Sequence, residues 1–186
     1  MFLLTHETLE AGVDASAVLD QCGLAPMMPM TGMIAERILP ATRAPQNLEL
    51  TRPEGDGGCG AILDVNSMAY GMDLGAGKTV LGRSFWKDHF PVLGLTGGKP
   101  ACGRGHDGRW ISLRRTSLVA TDPEQQRRGY GDAAMRRALE LAATTHGEQP
   151  TILHATDAGR PVYERMGYTP ISSHTIFLEK KFLAGH

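Results

Sequence analysis

Leu118-Val119-Ala120-Thr121-Asp122-Pro123-Glu124-Gln125-Gln126-Arg127-Arg128-Gly129-Tyr130-Gly131-Asp132 reads as a strand, a tight polar turn and the start of a helix. Leu118 to Ala120 are apolar and suit a buried strand. Asp122-Pro123 ends it, because Pro donates nothing to a ladder. The run from Asp132 to Thr145 contains no Gly or Pro and is rich in Ala, Leu, Met, Arg and Glu, which favours helix. A helix start offers unpaired N–H groups and the positive end of the dipole, so it suits an anion. Arg127 and Arg128 add charge. Gly129 and Gly131 let backbone approach a phosphate where a Cβ would stand in the way.

Gln126-Arg127-Arg128-Gly129-Tyr130-Gly131 resembles the Q/R-x-x-G-x-G/A signature of the GCN5-related N-acetyltransferase (GNAT) superfamily. Tyr163-Glu164-Arg165-Met166-Gly167-Tyr168 resembles the family's late Y-E-x-x-G-F/Y segment. The resemblance covers Leu48 to Lys181. It implies an α/β (α+β mixed) fold, the GNAT acyl-CoA N-acyltransferase fold, with a central mixed, mostly antiparallel sheet flanked by helices. Acetyl-CoA is then the co-substrate and an amine the acceptor. Its pyrophosphate would rest on the backbone of Gln126, Arg127, Arg128, Gly129, Tyr130, Gly131 and Asp132. Its pantetheine arm would pair with Val119, Ala120 and Thr121, and an N–H near Val119 or Ala120 would polarise the thioester carbonyl as an oxyanion site does.

Within the same resemblance, Tyr163 stands where the family has the general acid that protonates the departing sulfur. Thr156 stands where the family has an Asn that contacts the pantetheine amide. The family's carboxylate on the central strand has no counterpart, since Ile111 to Thr121 contains no Asp or Glu. His154, His174, Asp64 or a chain of water are the candidates for the base. The function implied is acetyl transfer to a primary amine of a small molecule or peptide by direct attack in a ternary complex. The alternative is a catalytically degenerate domain of the same fold that binds acyl-CoA as a regulatory or interaction module. Family members often dimerise, and no residue here requires it.

Bulk properties narrow the field. At 186 residues the chain fits one domain with an extension. A formal net charge of −1 gives no electrostatic footprint for nucleic acid. No apolar run approaches the ~20 residues that span a bilayer, and Met1-Phe2-Leu3-Leu4 is too short for a secretory core. Cys22, Cys59 and Cys102 are odd in number and widely spaced. They outline neither a disulfide framework nor a zinc site, so no metal is expected and a cytoplasmic setting is.

Residues 1–46 differ from the rest and read as a helical extension, a remnant of a first domain, before an acetyltransferase domain over 47–186. Val13 to Gln21 reads as a short helix started by Asp14 or Ser16 and ended by Gly23. Ala25 to Met30 reads as a turn, and Thr31 as the cap of a second helix through Leu39. The methionines here suit the covering of an apolar flank. Asn47 to Arg52 alternates as a first strand. Gly55 to Gly60 reads as flexible. Ala61 to Tyr70 reads as a helix with Ile62, Leu63, Val65, Met68 and Ala69 inward; the family's matching helix and the loop after it, here Gly71 to Gly82, form the acceptor pocket. Gly75-Ala76-Gly77-Lys78-Thr79 imitates a phosphate-binding P-loop, but position 72 is Met, not Gly, and a helix precedes it. Phe85 to Phe90 is an aromatic patch suited to core. Pro91 to Gly103 reads as a hairpin turning at Thr96 to Lys99. His106 to Arg109 reads as a second turn, followed by a long strand, Trp110 to Thr121, with a bend or bulge at Arg114-Arg115. Thr151 to Ala155 reads as a strand. A helix from Ala158 to Met166, capped by Thr156 or Asp157, ends at Gly167. Tyr168 to Leu178 closes the sheet, and 179–186 reads as a loose tail.

Overall fold

The computed structural model describes residues 2–6, 15–42, 44–53, 55–71, 90–110 and 113–183. The P-loop imitation at 75–79, the rest of the acceptor loop to Gly82, and the aromatic patch from Phe85 to His89 lie outside the described residues. The chain divides into two compact units, Glu36–Ile152, and Met1–Ala35 with Leu153–His186.

The first of these holds strands β3 (Glu49–Thr51), β4 (Val92–Thr96), β5 (Lys99–Trp110) and β6 (Leu113–Thr121), joined antiparallel in that order. Helix α2 (Gly55–Tyr70) and helix α3 (Tyr130–His146) pack on them. Alternation along β4 sorts the helices onto opposite faces, since successive side chains of a strand point to opposite sides. Leu93 joins Cys59, Ile62 and Leu63 of α2, with Leu95 beside them. Val92 joins Tyr130, Ala134 and Ala138 of α3, together with Ala101 and Cys102. A sheet covered on both faces explains why β4 reads as a continuous apolar run. The hairpin turn falls at Gly97-Gly98, with φ of 55° and 75°, the paired left-handed conformation that fits the twist of the flanking strands.

Two close approaches let these layers meet. A Cβ on Gly94 would lie 2.4 Å from Cys102 Sγ, and one on Gly103 would lie 3.1 Å from Ile62. Gly94 and Cys102 are cross-strand partners, so the missing side chain of one makes room for the thiol of the other. That burial pushes the Cys102 thiol up to about 12.

Several sequence expectations are corrected here. Helix α2 starts at Gly55, not Ala61, because burial of Cys59 against the sheet outweighs the poor helix propensity of glycine. Met68, expected inward, is 47% exposed. No turn occurs at His106 to Arg109 and no bulge at Arg114-Arg115. Strand β5 pairs with β6 in unbroken register out to Arg109↔Arg114 and Trp110↔Leu113; residues 111 and 112 lie outside the described residues. Local turn chemistry yields there to ladder pairing.

In the other unit, β1 (Phe2–His6) and β2 (Leu24–Ala35) flank β8 (Thr169–Glu179), both antiparallel to it. The sequence expectation of a turn at Ala25 to Met30 and a helix over 31–39 is overturned by β2. Pairing with β8 takes up its backbone, and Met33 and Ala35 alternate into the core at 0% and 3% exposure. The register slips between Pro26 and Met28 and between Gly32 and Met33; bulges of this kind accommodate the prolines. Helix α1 (Ala15–Gln21) ends as expected at Gly23, φ 77°; Val13 and Asp14 lie outside the described residues. Strand β7 (Thr151–Ala155), which carries the chain from one unit to the other, has its expected bounds. Helix α4 (Arg160–Arg165) begins two residues later than expected, and the expected loose tail begins with a helical turn, α5 (Lys180–Leu183). Lys180 there pairs with Asp20 at 2.7 Å. Antiparallel sheets flanked by helices make this the mixed α/β class expected. No helix among the described residues is long and apolar enough to cross a membrane.

Two outcomes follow from this packing. Ile62→Ala is expected to cost about 2–5 kcal/mol in chemical denaturation, whereas Val18→Ala, at a site 58% exposed, should cost no more than about 0.5 kcal/mol. At about pH 8 an alkylating reagent should label only Cys22 in the folded protein, because Cys59 and Cys102 are buried. Mass spectrometry should count one adduct natively and three in denaturant; rapid native labelling of Cys102 would contradict its raised thiol pKa.

Candidate functional site

The turn after β6 is built from its own side chains. Asp122 Oδ1 accepts from the Glu124 N–H at 2.9 Å, and its carbonyl accepts from the Gln125 N–H at 2.8 Å. Pro123–Gln125 forms one turn of 3₁₀ helix. Gln126 is extended, Arg127 is left-handed at φ 62°, and Gly129 is left-handed at φ 84° as the N-cap of α3. Arg127 in that region costs roughly 1 kcal/mol, while glycine tolerates it freely.

The first helical bond is Ala133 N–H to Gly129 C=O, 3.1 Å. The N–H groups of Tyr130, Gly131 and Asp132 therefore precede any intrahelical acceptor, and Gly129 has no side chain to cap them. A Cβ on Gly131 would lie 3.0 Å from Thr121 Oγ1, so this turn of α3 sits directly on the end of β6. Cys102 Sγ donates to the Tyr130 carbonyl at 3.4 Å from the neighbouring strand. Gln126, Arg127 and Arg128 are exposed. Asp132 accepts from Arg136 Nε at 2.9 Å, one turn on, and Arg136 also donates to the Leu39 carbonyl. The one acidic side chain of this helix start is thus matched by a cation, which lessens its repulsion of a bound anion.

Backbone direction along β6 follows from one bond. Asp122 N–H donates to Ala101 C=O at 2.9 Å. In an antiparallel ladder the bonded pairs alternate, so with this register Ala120 bonds toward Gly103, while Val119 and Thr121 turn their N–H and C=O groups away from β5. Tyr70, the last residue of α2, donates its hydroxyl to the Val119 carbonyl at 3.2 Å. Shelter of that hydroxyl raises its pKa from 10.0, although 39% of the residue is exposed. Tyr70 belongs to neither sequence motif. An aromatic residue closing an otherwise small and apolar helix face was the available signal.

In the other unit β7 runs into a turn held by Thr156. Its carbonyl accepts from Gly159 and Arg160 N–H at 3.0 and 2.9 Å, and its Oγ1 from Gly159 N–H at 3.1 Å. The Thr156 hydroxyl oxygen is therefore committed to anchoring α4. Tyr163 lies on that helix, half-buried, with its ring 5.9 Å from that of Tyr168 and at 69° to it. A Cβ on Gly159 would lie 3.3 Å from the Tyr163 ring. Of the three candidate bases, His154 and His174 meet, their rings 4.4 Å apart and at 87°. Asp64 lies on α2 in the unit that holds the glycine loop, half-buried. Among the described residues no group of three or more His, Cys, Asp or Glu could hold a metal ion.

Residues 105–182 match the model of the acetyltransferase (GNAT) domain. No curated protein matches the chain significantly. Among solved structures, a GCN5-related N-acetyltransferase from Kribbella flavida superposes with TM-score 0.65 at 18% identity, over 95% of this chain and 66% of that one. One from Sphaerobacter thermophilus gives TM-score 0.68 at 12% identity, over 95% and 58%. The ribosomal-protein-S18-alanine N-acetyltransferase from Escherichia coli gives 0.54 at 14%, over 70% and 91%. At these identities the likeness is one of fold, and the chain spans at most two thirds of the first two structures. The chain carries a GNAT-domain match over residues 105–182 and has the fold of GCN5-related N-acetyltransferases.

Proposed function

We propose that this chain is a cytoplasmic, acetyl-CoA-dependent N-acetyltransferase that moves an acetyl group to the primary amine of a small molecule or peptide by direct attack in a ternary complex. The observation that carries the reading is the loop Gln126 to Asp132. A left-handed Gly129 leads into three helix N–H groups with no intrahelical acceptor, inside the segment that matches the family model. In support of a pyrophosphate there, Gly129 brings no side chain to the helix start, Arg127 and Arg128 stand exposed beside it, and Asp132 is paired with Arg136.

When bound, acetyl-CoA supplies the activated acetyl group. Val119 and Thr121, whose backbone turns away from β5, would pair with the pantetheine arm, and the Val119 N–H would polarise the carbonyl under attack. Because the Ala120 amide bonds toward Gly103, Val119 is the better candidate of the two. Thr156 would serve through its hydroxyl proton, its oxygen being engaged with Gly159. Tyr163 would donate a proton to the departing sulfur. A thiolate has modest need of one, with a thiol pKa of ~8.5. A second reading, a catalytically degenerate domain that binds acyl-CoA as a regulatory module, is favoured by one observation, the absence of any carboxylate between Ile111 and Thr121.

Calorimetric titration with acetyl-CoA should show saturable binding by wild type and its loss in Gly129→Trp, which fills the cradle. Tyr163→Phe should slow thiol release with a reactive amine by ~10²-fold without weakening acetyl-CoA binding. Binding without thiol release across an amine panel would favour the degenerate reading, and failure of folded wild type to bind would overturn both.

A further inference from the structure

Tyr70 ends helix α2, and Gly71, left-handed at φ 64°, turns the chain out of it. From there the side chain reaches β6, on which α2 packs, and its hydroxyl donates to the Val119 carbonyl at 3.2 Å. Both residues lie in the unit Glu36–Ile152. Along a strand, carbonyls are ordinarily taken up by backbone amides. The half-buried Val119 turns its carbonyl away from β5, and there a phenol serves it. The Val119 side chain, for its part, faces the start of α3, where a Cβ on Gly131 would lie 4.0 Å from its Cγ1. One residue therefore joins Tyr70 to the glycine loop.

Two features make the Tyr70 bond replaceable. At 3.2 Å it is long for an O–H···O bond, whose usual range is about 2.5–3.0 Å. Tyr70 is also 39% exposed, so its ring has room to turn. The hydroxyl stays a donor at neutral pH, since desolvation raises its pKa from 10.0.

We infer that Tyr70 is a binding residue of the acetyl-CoA seat, and that in the free protein its hydroxyl holds the place a pantetheine amide takes on the Val119 carbonyl. The inference rests on the acetyl-CoA reading above. A sheltered carbonyl without a donor costs free energy, so the free protein supplies one from its own chain. The coenzyme's arm carries amide N–H groups, donors as uncharged as the phenol. When one arrives, one neutral donor replaces another, and the phenol turns out through its exposed side. The strand is thus ready for ligand without a backbone rearrangement, and the adjustment falls on one side chain. Affinity is set by the difference between the two bonds, so Tyr70 holds acetyl-CoA binding below what β6 alone would give. The competition is selective, because a ligand without the arm never meets it.

Calorimetric titration of wild type, Tyr70→Phe and Met68→Ala tests this. The ligands are acetyl-CoA and adenosine bisphosphate, the nucleotide fragment of the coenzyme that lacks the arm. Tyr70→Phe should bind acetyl-CoA ~3–10-fold more tightly and the fragment as wild type does. Met68→Ala, an exposed position on the same helix end, should alter neither. By NMR of the free protein, Tyr70→Phe should shift the Val119 carbonyl carbon. In wild type, saturation with acetyl-CoA should shift both that carbon and the Tyr70 ring. Unchanged or weaker acetyl-CoA binding by Tyr70→Phe, or a Tyr70 ring that ignores saturation, overturns the inference and leaves the seat standing. Tyr70 is then only a staple between α2 and β6. Saturable binding that leaves the Val119 carbon unmoved places the coenzyme elsewhere and takes down the seat with the inference. Failure of folded wild type to bind acetyl-CoA removes the acetyl-transfer reading itself.

Discussion

The helix start at Tyr130 is seated directly on the sheet, and the geometry of the glycine loop depends on that. Cys102 fits opposite a missing side chain at Gly94 and donates to the Tyr130 carbonyl, while Gly131 presses on Thr121 with no Cβ between them. These contacts fix the first turn of α3 against the ends of β5 and β6. The N–H groups of Tyr130 to Asp132 are therefore held by packing, which is what preorganised electrostatics require. The same closeness leaves Cys102 no freedom to ionise, so its thiol is structural.

Charge around that helix start is balanced with little excess. The Arg136–Asp132 pair is partly buried, with side chains 16% and 24% exposed, and it reaches back to the chain at Leu39. Arg127 and Arg128 stay at the surface. An anion placed there would meet the backbone dipoles of the helix start and the exposed side chains of Arg127 and Arg128. With a whole-chain net charge of −1, attraction is local, and the site would be moderately sensitive to salt.

How much of this was legible in the sequence depends on whether the deciding interaction was local. The Gly97-Gly98 turn, the end of α1 at Gly23 and the bounds of β7 are encoded within a few residues, and they stand where the sequence puts them. Strand β2 is not local. Its prolines and methionines look like a turn and a helix until β8 is beside them. The continuation of β5 through His106 to Arg109 is likewise decided by β6. At the candidate site, the glycines and arginines advertise themselves as a run. Tyr70 does not, because its partner Val119 lies on a strand remote in the chain, and the meeting of His154 with His174 depends on Gly32, where a Cβ would lie 2.9 Å from His174 Nε2. Sequence patterns carry periodicity and turn chemistry well, and cross-strand juxtaposition poorly.

The central claim is that the backbone from Val119 through Asp132 is the seat of acetyl-CoA. Amide hydrogen exchange, resolved by residue with and without saturating acetyl-CoA, tests it most directly. The account predicts that protection rises at the amides of Val119, Thr121, Tyr130, Gly131 and Asp132, and that Ala120, already bonded toward Gly103, changes least. Saturation of the protein with acetyl-CoA while those amides exchange at unchanged rates would contradict it.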